Sequence, residues 1–230
     1  MTIHQTASAL AAGSADQARA ELVPSFDLLY GTMVELIETS MGDAPQILDL
    51  GSGLGLLSRM VGERRPAAQI TLLDPSAELL AQGSTALAEQ GVAHRSVTAG
   101  LDDLPDGPFD AVMSGLALHR LLDEDKQAVF ARVHELLAPD GLFVAAEHVA
   151  GPSLHLDDLY HQLWLQELRE GGVPAEMVEA AVGDMVYDHP ATVTEQQAWM
   201  ASAGFRDVDC FVKQYRFAVI GGWSSSRPPV

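Results

Sequence analysis

The stretch Ile47-Leu-Asp-Leu-Gly-Ser-Gly-Leu-Gly55 joins a short apolar run to three glycines set at alternate positions. Pro45 opens the run, and Gln46 to Leu50 is too short and too closely followed by glycine to be a helix, so it reads as a first strand. Glycines between a strand and a helix let the backbone approach a ligand closely, and the N-terminus of the following helix offers unpaired N–H groups. Nucleotide-like ligands use both features. In the dinucleotide fingerprint the third glycine follows the second by three positions, which here falls on Leu56, whereas the chain places it at Gly55. That spacing disfavours a dinucleotide. Asp49 stands two residues before Gly51, where a carboxylate can face the ammonium group of a bound amino-acid moiety and would repel a pyrophosphate. Asp74, at the end of the next strand, is placed to accept hydrogen bonds from two ribose hydroxyls, which points to a ribose and to nothing finer.

Working outward, apolar residues Leu22, Phe26, Leu29, Met33, Leu36 and Ile37 recur at three- and four-residue steps between Glu21 and Met41, an amphipathic helical pattern before the first strand. Downstream, strands are expected at Gln69 to Leu73, Ala93 to Thr98, Phe109 to Met113 and Leu142 to Ala146. Helices are expected at Ser76 to Gln90 and at Asp123 to Leu137, the latter capped by Asp123. Pro139-Asp-Gly141 turns the chain into the apolar run that follows it. This alternation, with near-continuous apolar strands, predicts a parallel sheet covered by helices on both faces. After Gly151-Pro152 the rhythm changes: Leu154 to Arg169 and Pro174 to Tyr187 read as two helices with no strand between them, an insertion spanning 154–190. Thr194 to Ala203 reads as a helix ending at Gly204, and Asp207 to Lys213 with Tyr215 to Ile220 as an antiparallel hairpin. The fold class is therefore α/β: a three-layer, doubly wound, Rossmann-like sheet of seven strands, mostly parallel, with an antiparallel C-terminal hairpin and a helical insertion after the fifth strand.

At 230 residues with 47% hydrophobic content the chain has the size of one α/β domain, expected over 21–222. Residues 1–20, rich in Ala and Ser, read as a mobile tail that is neither a signal peptide nor a membrane span, and 223–230 as a C-terminal tail. Acidic residues outnumber basic ones 32 to 13, for a formal charge of −19, so nucleic acid and anionic membrane surfaces are poor partners. A single cysteine, Cys210, excludes an internal disulfide and a cysteine-cluster metal site, which fits a reducing, cytoplasmic compartment.

Taken together, these motifs resemble class I S-adenosylmethionine-dependent methyltransferases. Asp49-Leu-Gly-Ser-Gly-Leu-Gly55 is similar to their first motif and Leu72-Leu-Asp-Pro-Ser76 to the second. Ala99-Gly-Leu-Asp-Asp-Leu-Pro105 resembles the adenine-contacting third segment, Phe109 to His119 the fourth strand with its active-site loop, and Leu136 to Phe143 the entry to the fifth strand. The resemblance runs from about residue 24 to residue 221. It implies S-adenosyl-L-methionine as cofactor, S-adenosyl-L-homocysteine as product, and cofactor contacts at Tyr30, Asp49, Gly51, Ser52, Gly53, Gly55, Asp74, Pro75, Ser76, Gly100, Leu101, Asp102 and Ser114. The chain departs from the family at three places. Gly100 and Leu101 stand where many members carry Asp, which shifts the adenine contact to Leu101 backbone and Asp102. His119-Arg-Leu121 replaces the frequent His-His-Leu. Phe26 stands where a tyrosine often touches the cofactor's carboxylate, with Tyr30 one turn on as its substitute.

Methyl transfer is an in-line displacement, so the protein must align the nucleophile and exclude water; a base is needed only for an acceptor protonated at neutral pH. His119, after the fourth strand at the ligand-binding edge, is a candidate base or substrate contact, against the plainer reading of a histidine bonded to backbone. Glu147 and His148 leave the fifth strand in opposite directions, so at most one is expected to face the site. His155 and His161 are six apart and lie on different helix faces, so no metal site is expected. Phe26, His119, Tyr160 and Trp164 are the expected pocket; the Tyr160–Trp164 pair is equally at home in a core. Asp188-His189 is a weaker candidate.

The leading expectation is methylation of a small-molecule acceptor, in secondary metabolism, by an enzyme whose insertion selects the acceptor as a lid. A second reading is a cofactor-modifying enzyme resembling carboxy-S-adenosylmethionine synthases, disfavoured because a carboxylate needs a cation and no arginine occurs between Arg169 and Arg206. A third is a non-catalytic binding module. Oligomeric state is open, with the N-terminal helix and the insertion as the surfaces a homodimer would use.

Overall fold

In the computed structural model, Gln17 and residues 20–226 are described. The expected N-terminal tail lies outside them except for Gln17 and Ala20, as do the last four residues of the expected C-terminal tail. Helix α1 (Phe26–Ser40) leads into β1 (Gln46–Leu50), α2 (Leu56–Arg64), β2 (Gln69–Asp74), α3 (Ala77–Gln90), β3 (Ala93–Thr98) and β4 (Phe109–Gly115). A 3-10 turn (Leu118–Arg120), α4 (Asp123–Leu136) and β5 (Leu137–His148) follow, then the insertion helices α5 (Leu154–Glu170) and α6 (Ala175–Asp184). A second 3-10 turn (Met185–Tyr187), α7 (Val193–Ala203), β6 (Arg206–Gln214) and β7 (Phe217–Trp223) complete the chain.

One sheet holds all seven strands in the order β3-β2-β1-β4-β5-β7-β6. Strands β1 to β5 are mutually parallel, and β7 runs antiparallel between β5 and β6. The order reverses between β1 and β4, so the loops leaving those two strands diverge to opposite faces and open a crevice at the C-terminal edge, where ligands sit in such sheets. The residues facing it are therefore those just after Leu50 and just after Gly115.

Strand alternation splits the core into two layers. Ile47, Ala111, Met113, Val144 and Ala146 pack with Leu29, Met33 and Ile37 of α1 on one face, while Leu48, Leu50, Val112, Phe143 and Ala145 pack with Val129, Phe130 and Val133 of α4 on the other. In α1 the buried positions Phe26, Leu29, Tyr30, Met33, Val34 and Ile37 form the stripe the sequence spacing requires. Side chains of this size each gain about 1.5–3 kcal/mol on full burial, which fixes α1 against β4, β5 and β7.

Several boundaries differ from expectation for identifiable reasons. The N-cap of α4 is Leu122; Asp123 is its first residue and pairs with buried Lys126 at 3.1 Å. Strand β5 begins five residues before Leu142 because Asp140, at φ 62, absorbs an irregularity without ending the pairing. The final turn falls at Tyr215 and Arg216, so β7 runs on through Gly221 and Gly222 to Trp223. A Cβ at Gly221 would come 2.6 Å from the Phe143 carbonyl, so this glycine lets the strand close onto β5, while one at Gly222 would come 3.0 Å from Val208 of β6.

Candidate active site

The glycine turn is built by its own backbone. Gly51, Gly53 and Gly55 have φ of 64, 52 and 72, the left-handed region glycine enters without penalty. At Gly51 the reason is also spatial, since a Cβ would lie 2.5 Å from that of Ala117 in the loop after β4. At Gly53 nothing lies within 4 Å of such a Cβ, so the backbone there faces open space. Asp74, only 8% exposed, accepts from Gly53 N–H at 2.9 Å and from Ser76 N–H at 2.8 Å, tying the glycine turn to the end of β2. Ser52 donates its N–H to Leu73 O, and its buried hydroxyl has no hydrogen-bond partner.

A small cleft beside this turn is lined by Tyr30, Asp49, Gly51, Ser52, Leu56, Leu57 and Gly115. Asp49 is buried and accepts from Ser58 Oγ at 2.6 Å. Tyr30 is buried and stacks on Phe26 with ring centroids 4.3 Å apart, and the missing side chain of Gly115 makes room for its hydroxyl. Acidic groups, an unmatched hydroxyl and a backbone cradle suit a ligand that carries an ammonium group and a ribose. Leu101 is half-buried and Asp102 exposed at the next loop, with Asp103 N–H closing a turn on Gly100 O. Pro75 is exposed and Ser76 caps α3, accepting from Leu79 N–H. Gly55 is the N-cap of α2.

Ser114 is a correction. It is fully buried on the α4 face, opposite Asp49, and its hydroxyl donates to Leu50 O at 3.1 Å, so it joins β4 to β1.

On the other side of the crevice a cavity of about 430 Å3 opens under the insertion. Its walls come from Leu22 and Val23, from Leu116, His119 and Arg120, from His148 and Trp164, from α6 and its exit, and from Phe217. Glu147 is 1% exposed and accepts from Leu118 N–H at 3.0 Å and His119 N–H at 2.9 Å, with His119 Nδ1 at 3.2 Å. It thereby fixes both the loop after β4 and the imidazole. His119 Nε2 lies 3.7 Å from Asp188 Oδ1, while Asp188 Oδ2 lies 3.2 Å from His148 Nδ1. Glu147 and His148 do leave β5 toward opposite faces, yet both reach this cluster, because the loop after β4 folds over the strand end to meet Glu147.

Burial pushes the His148 imidazole below its ordinary 6.5, outweighing the hydrogen bond to Asp188 that favours its charged form. Burial would raise the Asp188 carboxyl, but its bond to His148 and the charges of His119 and Arg120 bring it below its ordinary 3.8. Each group binds fewer protons folded than unfolded, so stability falls as pH drops: through His148 below about pH 6.5, and through Asp188 below about pH 3.8. A melting curve at pH 5.5 is expected to lie below that at pH 7.5, and His148→Gln to flatten the difference; an unchanged difference in the variant contradicts this assignment.

Two expected pocket residues lie elsewhere. Phe26 is core, behind Tyr30. Tyr160 faces the β6–β7 turn, under Lys213 at 4.4 Å and beside Tyr215, and borders a separate depression, because Trp164 one turn on points inward and donates to Leu22 O. Asp188, rated weakly in the sequence, is central to the cluster. Arg120 and Arg216 were missed altogether. Arg120 pairs with Asp184 and lies 3.5 Å from Asp188. The absence of arginine between residues 169 and 206 therefore does not deprive the cavity of a cation, since Arg120 reaches its wall from the loop after β4, with Arg216 of the β6–β7 turn behind Trp164 and Met185.

Replacing Gly53 with alanine separates binding from folding. The side chain meets no protein atom, so the cost to stability is about 1–2 kcal/mol of left-handed strain. A methyl group in the cradle is expected to weaken ligand binding well beyond that cost, measured as the S-adenosylhomocysteine Kd beside the melting temperature.

Residues 47–141 match the family model described as a methyltransferase domain. An uncharacterized methyltransferase of Mycobacterium tuberculosis is 32% identical over 136 residues, 59% of this chain and 63% of the relative. A demethylmenaquinone methyltransferase of Thermus thermophilus is 30% identical over 144 residues, 57% of this chain and 64% of the relative. The match thus spans less than two thirds of these relatives' length. Among solved structures, human N-acetylserotonin methyltransferase in complex with S-adenosylmethionine superposes with a TM-score of 0.57 at 16% identity, covering 95% of this chain and 59% of that one. At that identity it speaks for the fold alone.

Proposed function

Starting from a chain whose residues 47–141 carry a methyltransferase domain on a class I sheet, we propose that it transfers a methyl group from S-adenosylmethionine to a small-molecule acceptor. The observation that carries this reading is the pair of unlike clefts flanking the β1–β4 crevice: an acidic, glycine-built cleft at Asp49 and Gly51, and a larger cavity at His119 and His148.

In this reading Asp49 faces the ammonium group of the donor, Asp74 accepts from its ribose hydroxyls, and Ser52 Oγ and the Gly53 backbone close on it. Leu101 and Asp102 border the adenine. S-adenosylmethionine supplies a methyl group on a sulfonium, an electrophile that needs no metal or covalent intermediate. The residues of the cavity do the rest. Glu147 takes a hydrogen bond from His119 Nδ1–H, which leaves Nε2 as the nitrogen able to accept a proton from the acceptor. Asp188, held ionised by its neighbours, stabilises the imidazolium so formed. Trp164, Leu22 and Val23 keep water from the path, and α5 is anchored by buried Trp164 and Leu168. Helix α6 buries no side chain, which suits a cover that selects the acceptor. The intact His119–Glu147 pair favours turnover over a binding module that has lost it.

The test is a panel of small phenols, amines and acids incubated with S-adenosylmethionine, read as S-adenosylhomocysteine released together with methylated product. Turnover of at least one acceptor is expected. Retained S-adenosylhomocysteine binding with no turnover across the panel sinks the enzymatic reading and leaves the donor site standing.

A further inference from the structure

Arg216 sits in the tight turn between β6 and β7 and is only 6% exposed. It forms no ion pair among the described residues, and its Nε has no hydrogen-bond partner. Its contacts are neutral: Nη1 donates to His161 Nδ1 at 3.0 Å and lies 3.6 Å from Met185 Sδ, and the guanidinium stands 5.0 Å over the Trp164 ring. Asp157 and Asp188 act on it only through their field, without contact. A buried guanidinium without a counterion is expensive, and buried donors left unmatched in a folded protein call for an explanation.

The place of the guanidinium supplies one. Trp164 beneath it, Met185 at its Nη1 and Phe217 beside it in the chain all line the cavity under the insertion. One layer of side chain therefore separates it from that space, and the thioether of Met185 is the kind of flexible group that yields to a ligand. His161 can accept from Arg216 only while neutral, and burial together with the Arg216 charge keeps it so by lowering its pKa. The histidine therefore orients the fork without neutralising it, and the guanidinium keeps its charge and an unmatched Nε–H for an anion.

We propose that Arg216 anchors the carboxylate of a ligand bound in this cavity, so that the substrate is an acid. This rests on reading the cavity as the substrate site. Two sources of the carboxylate are distinguishable: an acidic acceptor beside the donor, or a carboxylated form of the donor itself.

Calorimetry on the full chain separates them. With S-adenosylhomocysteine saturating, 4-hydroxybenzoate is titrated against its uncharged counterpart 4-hydroxybenzamide; in a second arm carboxy-S-adenosylmethionine is titrated against S-adenosylmethionine. The wild type is expected to prefer the carboxylate in one arm by about 10- to 100-fold, the scale of a charge-assisted bidentate contact. Arg216→Met abolishes that preference and leaves the uncharged ligand's affinity unchanged, while Arg216→Lys, with charge but no fork, keeps part of it. The proposal is overturned by a wild type with no carboxylate preference in either arm, by a preference that survives Arg216→Met, or by variants in which charged and uncharged ligands weaken equally. S-adenosylhomocysteine binding, measured first, reports separately on the donor site: its loss in the wild type counts against the proposed function and not against Arg216.

Discussion

With an acceptor that carries its proton at neutral pH, such as a phenol, His119→Ala lowers kcat by about 100- to 10,000-fold while the S-adenosylhomocysteine Kd stays within about twofold. The separation follows from position. His119 stands in the loop after β4 and faces the cavity, whereas the donor cleft is built by Tyr30, Asp49 and the glycine turn after β1. In the proposed mechanism, removing the imidazole takes away the proton acceptor and leaves the cleft assigned to the donor intact. Glu147→Gln is expected to cost both ways, because Glu147 orients His119 and also holds the loop through Leu118 N–H and His119 N–H. A His119→Ala enzyme within about threefold of wild-type kcat on such an acceptor would remove the imidazole from the mechanism.

If Asp74 holds the ribose as proposed, Asp74→Ala raises the S-adenosylhomocysteine Kd by about 100-fold or more, since two hydrogen bonds to a carboxylate at about 1.5–3 kcal/mol each would be lost together. The loss extends beyond the ligand. Asp74 holds Gly53 N–H and Ser76 N–H, so the substitution leaves the glycine turn and the start of α3 without their shared acceptor, and the melting temperature falls with the affinity. Asp74→Asn keeps an acceptor oxygen and is expected to sit between. An Asp74→Ala protein that binds S-adenosylhomocysteine like the wild type contradicts the assignment of this carboxylate to the ribose.

What the sequence makes legible here is what is written locally. The bounds of β1 follow from an apolar run closed by glycine, and the glycine turn is readable because the residues that form the cradle are consecutive. The sequence ends the hairpin at Ile220 because Gly221 and Gly222 look like a loop; only the packing of β7 between β5 and β6 explains why a strand needs residues without side chains there. The cavity is illegible for a different reason. Its walls come from residues as far apart as Leu22 and Phe217, and no spacing rule joins segments that meet only after the sheet is assembled. Asp188 matters because His119 from the loop after β4 and His148 from the end of β5 converge on it, and Arg216 because a turn carries it beneath the insertion. Tyr160 and Trp164 illustrate the limit of periodicity: four residues apart on one helix, one faces the cavity and the other the neighbouring hairpin.

In the proposed function the cleft beside Gly51 to Gly55 takes S-adenosylmethionine, and titration calorimetry of the full chain with S-adenosylhomocysteine and, separately, NADH decides that assignment. One S-adenosylhomocysteine per chain with no binding of NADH is the predicted result. Binding of NADH without binding of S-adenosylhomocysteine would contradict the account at its root.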